Sequence, residues 1–298
     1  MQSLLNSVRR ARPLLGTLVE INATASSSEL SAAFDAAFAA IEQVQRLMSF
    51  HDEDSDVSRI NAADAGCDVC IDAQTYHVLQ RATELGDLSD GFFDIATADV
   101  LVLRGFLPAQ NHPKMPLSGA TYRDLELGEG NRVQWRRKGW IDLGGIAKGY
   151  AVDCAIASLQ SHGIASGMVN AGGDLRCFGE AQPIHARRPD EPTSLVSLGY
   201  LQDGAIATSA GYFSAVSTEV GSVNPLVDPK QKICTAWDYS VSVVASDCMT
   251  ADALTKIVRL SRESAPDILA MLNAQAVVIN GNSVGTCGAM LLQELTAT

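Results

Sequence analysis

Apolar positions along the chain follow two periods, and the changes from one to the other mark its elements. Thr17, Leu18, Val19, Glu20, Ile21 and Asn22 alternate with a period of two, which predicts a strand with one buried face. Leu30, Phe34, Ala37, Ile41, Val44 and Met48 then recur at spacings of three and four, predicting a helix with one buried stripe and Ser28 as its cap. A second helix is expected after Asp72, carrying Tyr76, Leu79 and Leu85 inward until Gly86 and Gly91 disrupt it. Residues 108–116, bounded by prolines, read as a loop.

From there the pattern becomes short strands with glycine turns, near residues 133–135, 168–169, 175–178, 195–198 and 241–245. Helices are expected over residues 147–159, 249–262 and 266–272, before a last strand at 276–279. No repeat, low-complexity tract or linker divides the chain. The expected fold class is therefore α+β: a single mixed domain over residues 1–298, with short strands and flanking helices. The order of the sheet is not legible.

Composition narrows the function classes. The chain has 298 residues, 47% of them hydrophobic, enough to bury a sizeable core. Its 34 acidic residues outnumber 22 basic ones, and the net charge of -12 argues against nucleic acid or an anionic membrane as a partner. Arg9, Arg10 and Arg12 stand where a secretion signal would carry its apolar stretch, so a cytoplasmic location is expected. Seven cysteines, an odd number, point to free thiols. The lone CxxC at Cys67 and Cys70 lacks the second ligand pair of a structural zinc site.

Four segments carry candidate chemistry. In the first, Asp142, Leu143, Gly144, Gly145, Ile146, Ala147, Lys148, Gly149, Tyr150, Ala151, Val152 and Asp153 read as a strand end, a glycine turn and the first turn of a helix. Glycines let backbone N–H groups approach a phosphate, and a helix start adds partial positive charge. A helix start packed on a sheet fits the same residues. Asn170, Ala171, Gly172, Gly173 and Asp174 form a second turn, with a plain hairpin as the alternative. Thr208 and Ser209 end a third segment in small hydroxyls that suit phosphate or a helix cap. The fourth opens a helix with Thr250, Asp252, Thr255 and Lys256; Asp252 and Lys256 share one face, as a surface ion pair also would.

Together with Leu15 to Glu20, Met48 to Asp52 and Gly91 to Asp94, these segments resemble, in order and over nearly the whole chain, the ApbE-like family, the FAD:protein FMN transferases. The resemblance implies a T-fold-like architecture. It also implies binding of FAD, Mg²⁺-assisted cleavage of its pyrophosphate, and transfer of FMN to a Thr or Ser hydroxyl of a flavoprotein, here expected to be cytoplasmic. Lys148, Gly149, Ala151, Phe92, Phe93 and Asp94 match FAD contacts, with Asn170, Gly172, Gly173, Asp174, Thr208, Ser209 and Thr250 expected beside them. The Ala151 carbonyl and the Asp252 carboxylate match metal ligands.

Three positions depart from the family. Lys256 stands four residues after Asp252, where the family has a metal-ligating threonine, and an ammonium there is expected to replace the metal. Residues 224–229 lack the family's histidine, leaving Asp228 or another carboxylate as the candidate substitute, with nothing in the sequence to select one. His51 matches an aromatic residue that packs on the flavin, and a surface-loop histidine fits the same position. The leading expectation is thus an FMN transferase in which Asp252, Lys256 and Asp228 act on the reaction. An FAD-binding paralogue without transfer activity is the alternative, and a flavin-using oxidoreductase a third reading.

Overall fold

The computed structural model describes residues 6–25, 27–108, 119–191, 193–210, 216–218 and 221–293. It opens with a hairpin, β1 (Asn6–Leu14) and β2 (Thr17–Ala25), followed by the long helix α1 (Ser27–Met48). Helix α2 (Asp56–Ala62), strand β3 (Asp68–Cys70), helices α3 (Ala73–Leu88) and α4 (Ala98–Leu103), and strands β4 (Leu125–Gly128) and β5 (Arg132–Trp135) come next. Helix α5 (Ala147–Ser161) leads into β6 (Ser166–Ala171), β7 (Asp174–Phe178), β8 (Gln182–Arg187), β9 (Leu195–Leu201) and β10 (Gly204–Ala210). Four short strands, β11 (Val216–Thr218), β12 (Gly221–Val223), β13 (Val227–Asp228) and β14 (Ile233–Cys234), precede β15 (Ser240–Ala245). Helices α6 (Cys248–Ser261) and α7 (Ala265–Met271) and strands β16 (Gln275–Asn280) and β17 (Ser283–Gly288) complete the order.

The centre is an eight-stranded sheet in the order β1-β2-β6-β7-β10-β15-β16-β17, antiparallel at every step. Strand β2 alternates in burial as period-two patterning requires, whereas β15 in the middle of the sheet is buried on both faces. Val19, Ile21 and Ala23 of β2, Ala205 and Ala207 of β10, and Val241 and Val243 of β15 face a layer made by α1, α5 and α6. On the opposite face, Ile206 and Val244 pack with Ile184 and Leu201 of the β8–β9 hairpin. Fold class is as the periodicity predicts, mixed α and β with helices flanking antiparallel strands.

The stripe expected on α1 is buried in full, from Leu30 to Met48. That helix starts at Ser27, one residue before the position expected for its cap. Asp72 caps α3 by accepting the Gln74 N–H at 2.8 Å. Gly86 does not break α3; it stays helical because its missing side chain makes room for the Tyr122 ring, 2.7 Å from where a Cβ would stand. The segment before Gly144 is not a strand end. Asn61 bonds both the N–H and the carbonyl of Ile141, at 2.7 and 2.8 Å, and the Asp142 N–H donates to the Ile95 carbonyl at 2.9 Å, so the extended segment is pinned from both sides. Strand 276–279 is not last, since β17 pairs beyond it. Past Pro108, the expected loop at 108–116 lies outside the described residues.

All seven cysteines are unpaired, with Cys67 and Cys70 exposed. Among the described residues no helix is long and apolar enough to cross a membrane.

Candidate functional site

Three elements distant in sequence meet at one end of the sheet: the start of α5, the β6–β7 turn and the first half of α6. The turn is a two-residue connection in which Ala171 pairs with Asp174, and Gly172 and Gly173 both take positive φ, 64° and 106°. Asn170 locks it by accepting the Gly173 N–H at 2.9 Å. Asp174 emerges from it as the first residue of β7.

Helix α5 approaches α6 at Gly149, where a Cβ would stand 2.2 Å from the Cys248 carbonyl oxygen. One turn further along the same face, Asp153 accepts the N–H groups of Cys248 at 2.9 Å and Met249 at 2.8 Å. Arg176 of β7 pairs with Asp153 at 2.7 Å. Asp247 accepts the Thr250 N–H at 2.8 Å. The first three N–H groups of α6 are therefore taken by carboxylates, and this helix start is closed to an anion. No side chain caps the start of α5 from its own segment; Asp252 instead reaches across to the Gly149 N–H at 3.3 Å.

The result is a layered charge cluster. Asp252 binds Lys256 and lies 3.9 Å from Lys148, which in turn binds Asp174. The Asp174 and Asp252 side chains are only 3% and 1% exposed, whereas those of Lys148 and Lys256 are 35% and 17% exposed. Carboxylates thus form the floor and ammonium groups the mouth, so a ligand arriving from solvent meets positive charge first. The surface ion pair that the Asp252–Lys256 spacing also allowed does not form, since the Asp252 side chain is buried.

Electrostatics differ between the two acids. Burial raises the Asp252 carboxyl, but Lys148 and Lys256 together outweigh it and hold the group below its ordinary value. Asp174 is raised, by burial first and by the Asp252 charge second, with Lys148 opposing. Burial works against the Lys148 ammonium too, yet Asp174 and Asp252 overcome it and raise its pKa.

A group such as Asp174, whose folded-state pKa lies above the unfolded one, takes up its proton earlier in the folded protein. The cost of holding it ionised is present in full above the raised value and is relieved as pH falls towards the ordinary carboxylate range. Protonation also leaves Lys148 facing one carboxylate fewer. FAD affinity, measured by flavin fluorescence, is expected to strengthen as pH falls towards the ordinary carboxylate range, and Asp174→Asn to flatten that dependence. A wild-type affinity that weakens over this range removes Asp174 from the account.

The other candidates divide. Thr208 lies beside Gly173 and bonds Ser242 across the strands at 2.8 Å. Ser209 joins Thr255 at 2.8 Å, and Thr255 donates to the Asp252 carbonyl at 2.7 Å. Phe93 and Lys256 flank Gly145, at 3.8 and 3.6 Å from its absent Cβ. Ala151 is wholly buried inside α5. Asp94 spends one oxygen on the N–H groups of Ala96, at 2.7 Å, and Tyr122, at 2.9 Å. Phe92 lies under the Lys230 ammonium, 4.0 Å from its ring centre.

Two candidates sit apart. The Thr250 hydroxyl accepts from Arg81 of α3 at 3.1 Å. Asp228 accepts the N–H groups of Lys230 at 2.9 Å and Gln231 at 3.0 Å, which shapes the β13–β14 turn.

Sequence reasoning passed over Asp142 and Asp153 as individual site residues. Burial pushes the Asp142 carboxyl up, against the pull of the Gly144 N–H and of the nearby His51 and Lys256 charges, so Asp142 and the exposed His51 border the same mouth. Asp153 was detectable from its spacing: four residues after Gly149, it shares the face that meets α6.

Mg²⁺ requires a near-octahedral shell of oxygens. Here one Asp252 oxygen is bound by Lys256 and the other accepts from Gly149, while Ala151 lies within the α5 ladder. No group of three or more His, Cys, Asp or Glu among the described residues is placed to hold a metal. These donors do not fit Mg²⁺.

Fold and site together define a protein with an antiparallel sheet, a helical layer and a cluster of paired lysines and aspartates where the two meet. Residues 15–279 match the ApbE family, and the chain belongs to it. Relatives named FAD:protein FMN transferase include one from Treponema pallidum, 26% identical over 278 residues, which span 82% of this chain and 76% of that one. Another, from Vibrio cholerae, is 29% identical over 232 residues, 72% of this chain and 69% of that one. Among solved structures, the ApbE protein of Thermotoga maritima matches with a TM-score of 0.83 at 25% identity, covering 95% of this chain and 97% of that one. The flavin transferase ApbE from Vibrio cholerae matches at 0.77 and 25% identity, covering 96% and 98%.

Proposed function

We propose that this chain is an FAD:protein FMN transferase that binds FAD with its pyrophosphate over Lys148 and Lys256, and attaches FMN to a Thr or Ser hydroxyl of a flavoprotein. One observation carries this reading: the partly exposed lysine layer over a buried carboxylate floor, next to a helix start without a cap of its own. Charge-assisted hydrogen bonds from both lysines would hold the phosphates and stabilise charge building on them. The acceptor oxygen attacks the FMN phosphorus, a P–O bond to the adenylate half breaks, and AMP leaves as the hydroxyl gives up its proton. Asn170, Gly172, Gly173, Thr208 and Ser209 would border the bound ligand, and Phe93 and His51 offer rings near its mouth. Seven unpaired cysteines support a reducing, cytoplasmic setting.

A second reading, FAD binding without transfer, draws support from Asp228, whose carboxylate is engaged in its own turn. Incubation of the protein with FAD and a flavoprotein domain, followed by intact mass and AMP measurement, separates the two. Transfer yields an acceptor heavier by one FMN and an equal amount of AMP. AMP without FMN on the acceptor would reduce the activity to hydrolysis, and FAD binding with no AMP would leave the second reading in place.

A further inference from the structure

Lys256 holds the side chain and the main chain of one residue at once: its Nζ binds the Asp252 carboxylate and, at 2.9 Å, the Asp252 carbonyl oxygen. This is how a small hard cation would be gripped, by two oxygens fixed on a helix turn. An ammonium has three donors. Two are spent on Asp252, and among the described residues the third has no partner, at a side chain that still reaches the mouth of the cluster.

The surroundings keep this charge in place. Gly145 packs beside the Lys256 stem, with Lys256 Cε 3.6 Å from where a Gly145 Cβ would be and the Phe93 ring 3.8 Å from the same point. Thr255, one residue before, braces the same carbonyl from the other side at 2.7 Å and is itself tied to Ser209 of β10. A divalent ion would have to displace Lys256 from the best oxygen it could use.

We propose that the Lys256 ammonium is the fixed cation of this site, held on Asp252 in the position a divalent metal would need, so that the chain binds the FAD pyrophosphate without metal. The proposal rests on FAD being the ligand for its second half only; exclusion of a metal from Asp252 stands independently.

Two measurements test it. In ligand-free protein, Mn²⁺ titrated as a paramagnetic probe should not bind to the wild type at micromolar concentration. Lys256→Ala, or the bulkier Lys256→Gln if the first melts early, should open a Mn²⁺ site that a further Asp252→Asn change abolishes. For FAD, wild-type affinity should differ by less than about twofold between EDTA and millimolar Mg²⁺, whereas Lys256→Ala should bind about tenfold more weakly in EDTA and recover with Mg²⁺. Mn²⁺ bound by the wild type and lost in Asp252→Asn overturns the proposal, as does a wild-type FAD affinity that rises tenfold with Mg²⁺. Mn²⁺ exclusion together with no FAD binding in either buffer would instead sink the FAD reading and leave Lys256 as the resident cation.

Discussion

Gly149→Ala is expected to lower the unfolding free energy by about 3 kcal/mol or more and to abolish FAD binding in whatever folded fraction remains. The new methyl would fall 2.2 Å from the Cys248 carbonyl oxygen and 2.8 Å from the Met249 Cα, both of them backbone atoms that no rotamer change can move aside. Helices α5 and α6 must separate, and three interactions part with them: the Gly149 N–H to Asp252, and the two Asp153 bonds to the start of α6. Urea denaturation gives the first quantity and a flavin fluorescence titration the second. A variant with near wild-type midpoint and affinity would mean that the helices do not touch at this point.

The second large effect belongs to Lys148→Met. It leaves Asp174 and Asp252 buried with Lys256 as the nearby cation, a loss of about 2 kcal/mol in stability, less than for a wholly buried pair because the Lys148 side chain is about a third exposed. FAD affinity should fall by about tenfold to a hundredfold, the worth of one charge-assisted phosphate contact. Lys148→Arg separates charge from shape: it keeps the positive charge, yet a planar fork cannot reach Asp174 and Asp252 as a point charge does. An unchanged affinity in Lys148→Met would remove the pyrophosphate from this end of the site.

Much of the fold can be read where burial is one-sided. The α1 stripe and the alternation in β2 are legible because each element faces the core along a single side, and period follows from that geometry. Strand β1 escaped notice because its face is carried by arginines. Arg10 and Arg12 lay their guanidinium groups over Phe34 and Phe38 of α1, at 5.1 and 4.4 Å from the ring centres, and Arg12 pairs with Asp35 and Glu42. Cations thus cover apolar rings where a polarity pattern shows only charge. At the opposite margin, β17 is exposed along nearly all its length, so no apolar period marks it.

The site divides the same way. Its turns are local chemistry: two glycines between Asn170 and Asp174 announce a tight connection whatever lies around it. The partners of those turns are not local. Asp153 meets α6 about 95 positions later in the chain, at Cys248, and Asp142 reaches the Lys256 mouth across a similar span. Only the sheet order, which places β7 and β10 side by side under both helices, brings them together. Thr250 shows the reverse. Its neighbours in sequence belong to the cluster, but the helix turns its hydroxyl to Arg81.

The backbone-to-backbone meeting of α5 and α6 also decides where the protein can breathe. With Gly149 seated against Cys248 and Asp153 clamping the next turn, the floor of the cluster has no hinge. The β13–β14 hairpin, by contrast, is held to its neighbours through side chains: the Lys230 ammonium lies over the Phe92 ring, and Lys232 donates to the Ala96 and Ala120 carbonyls.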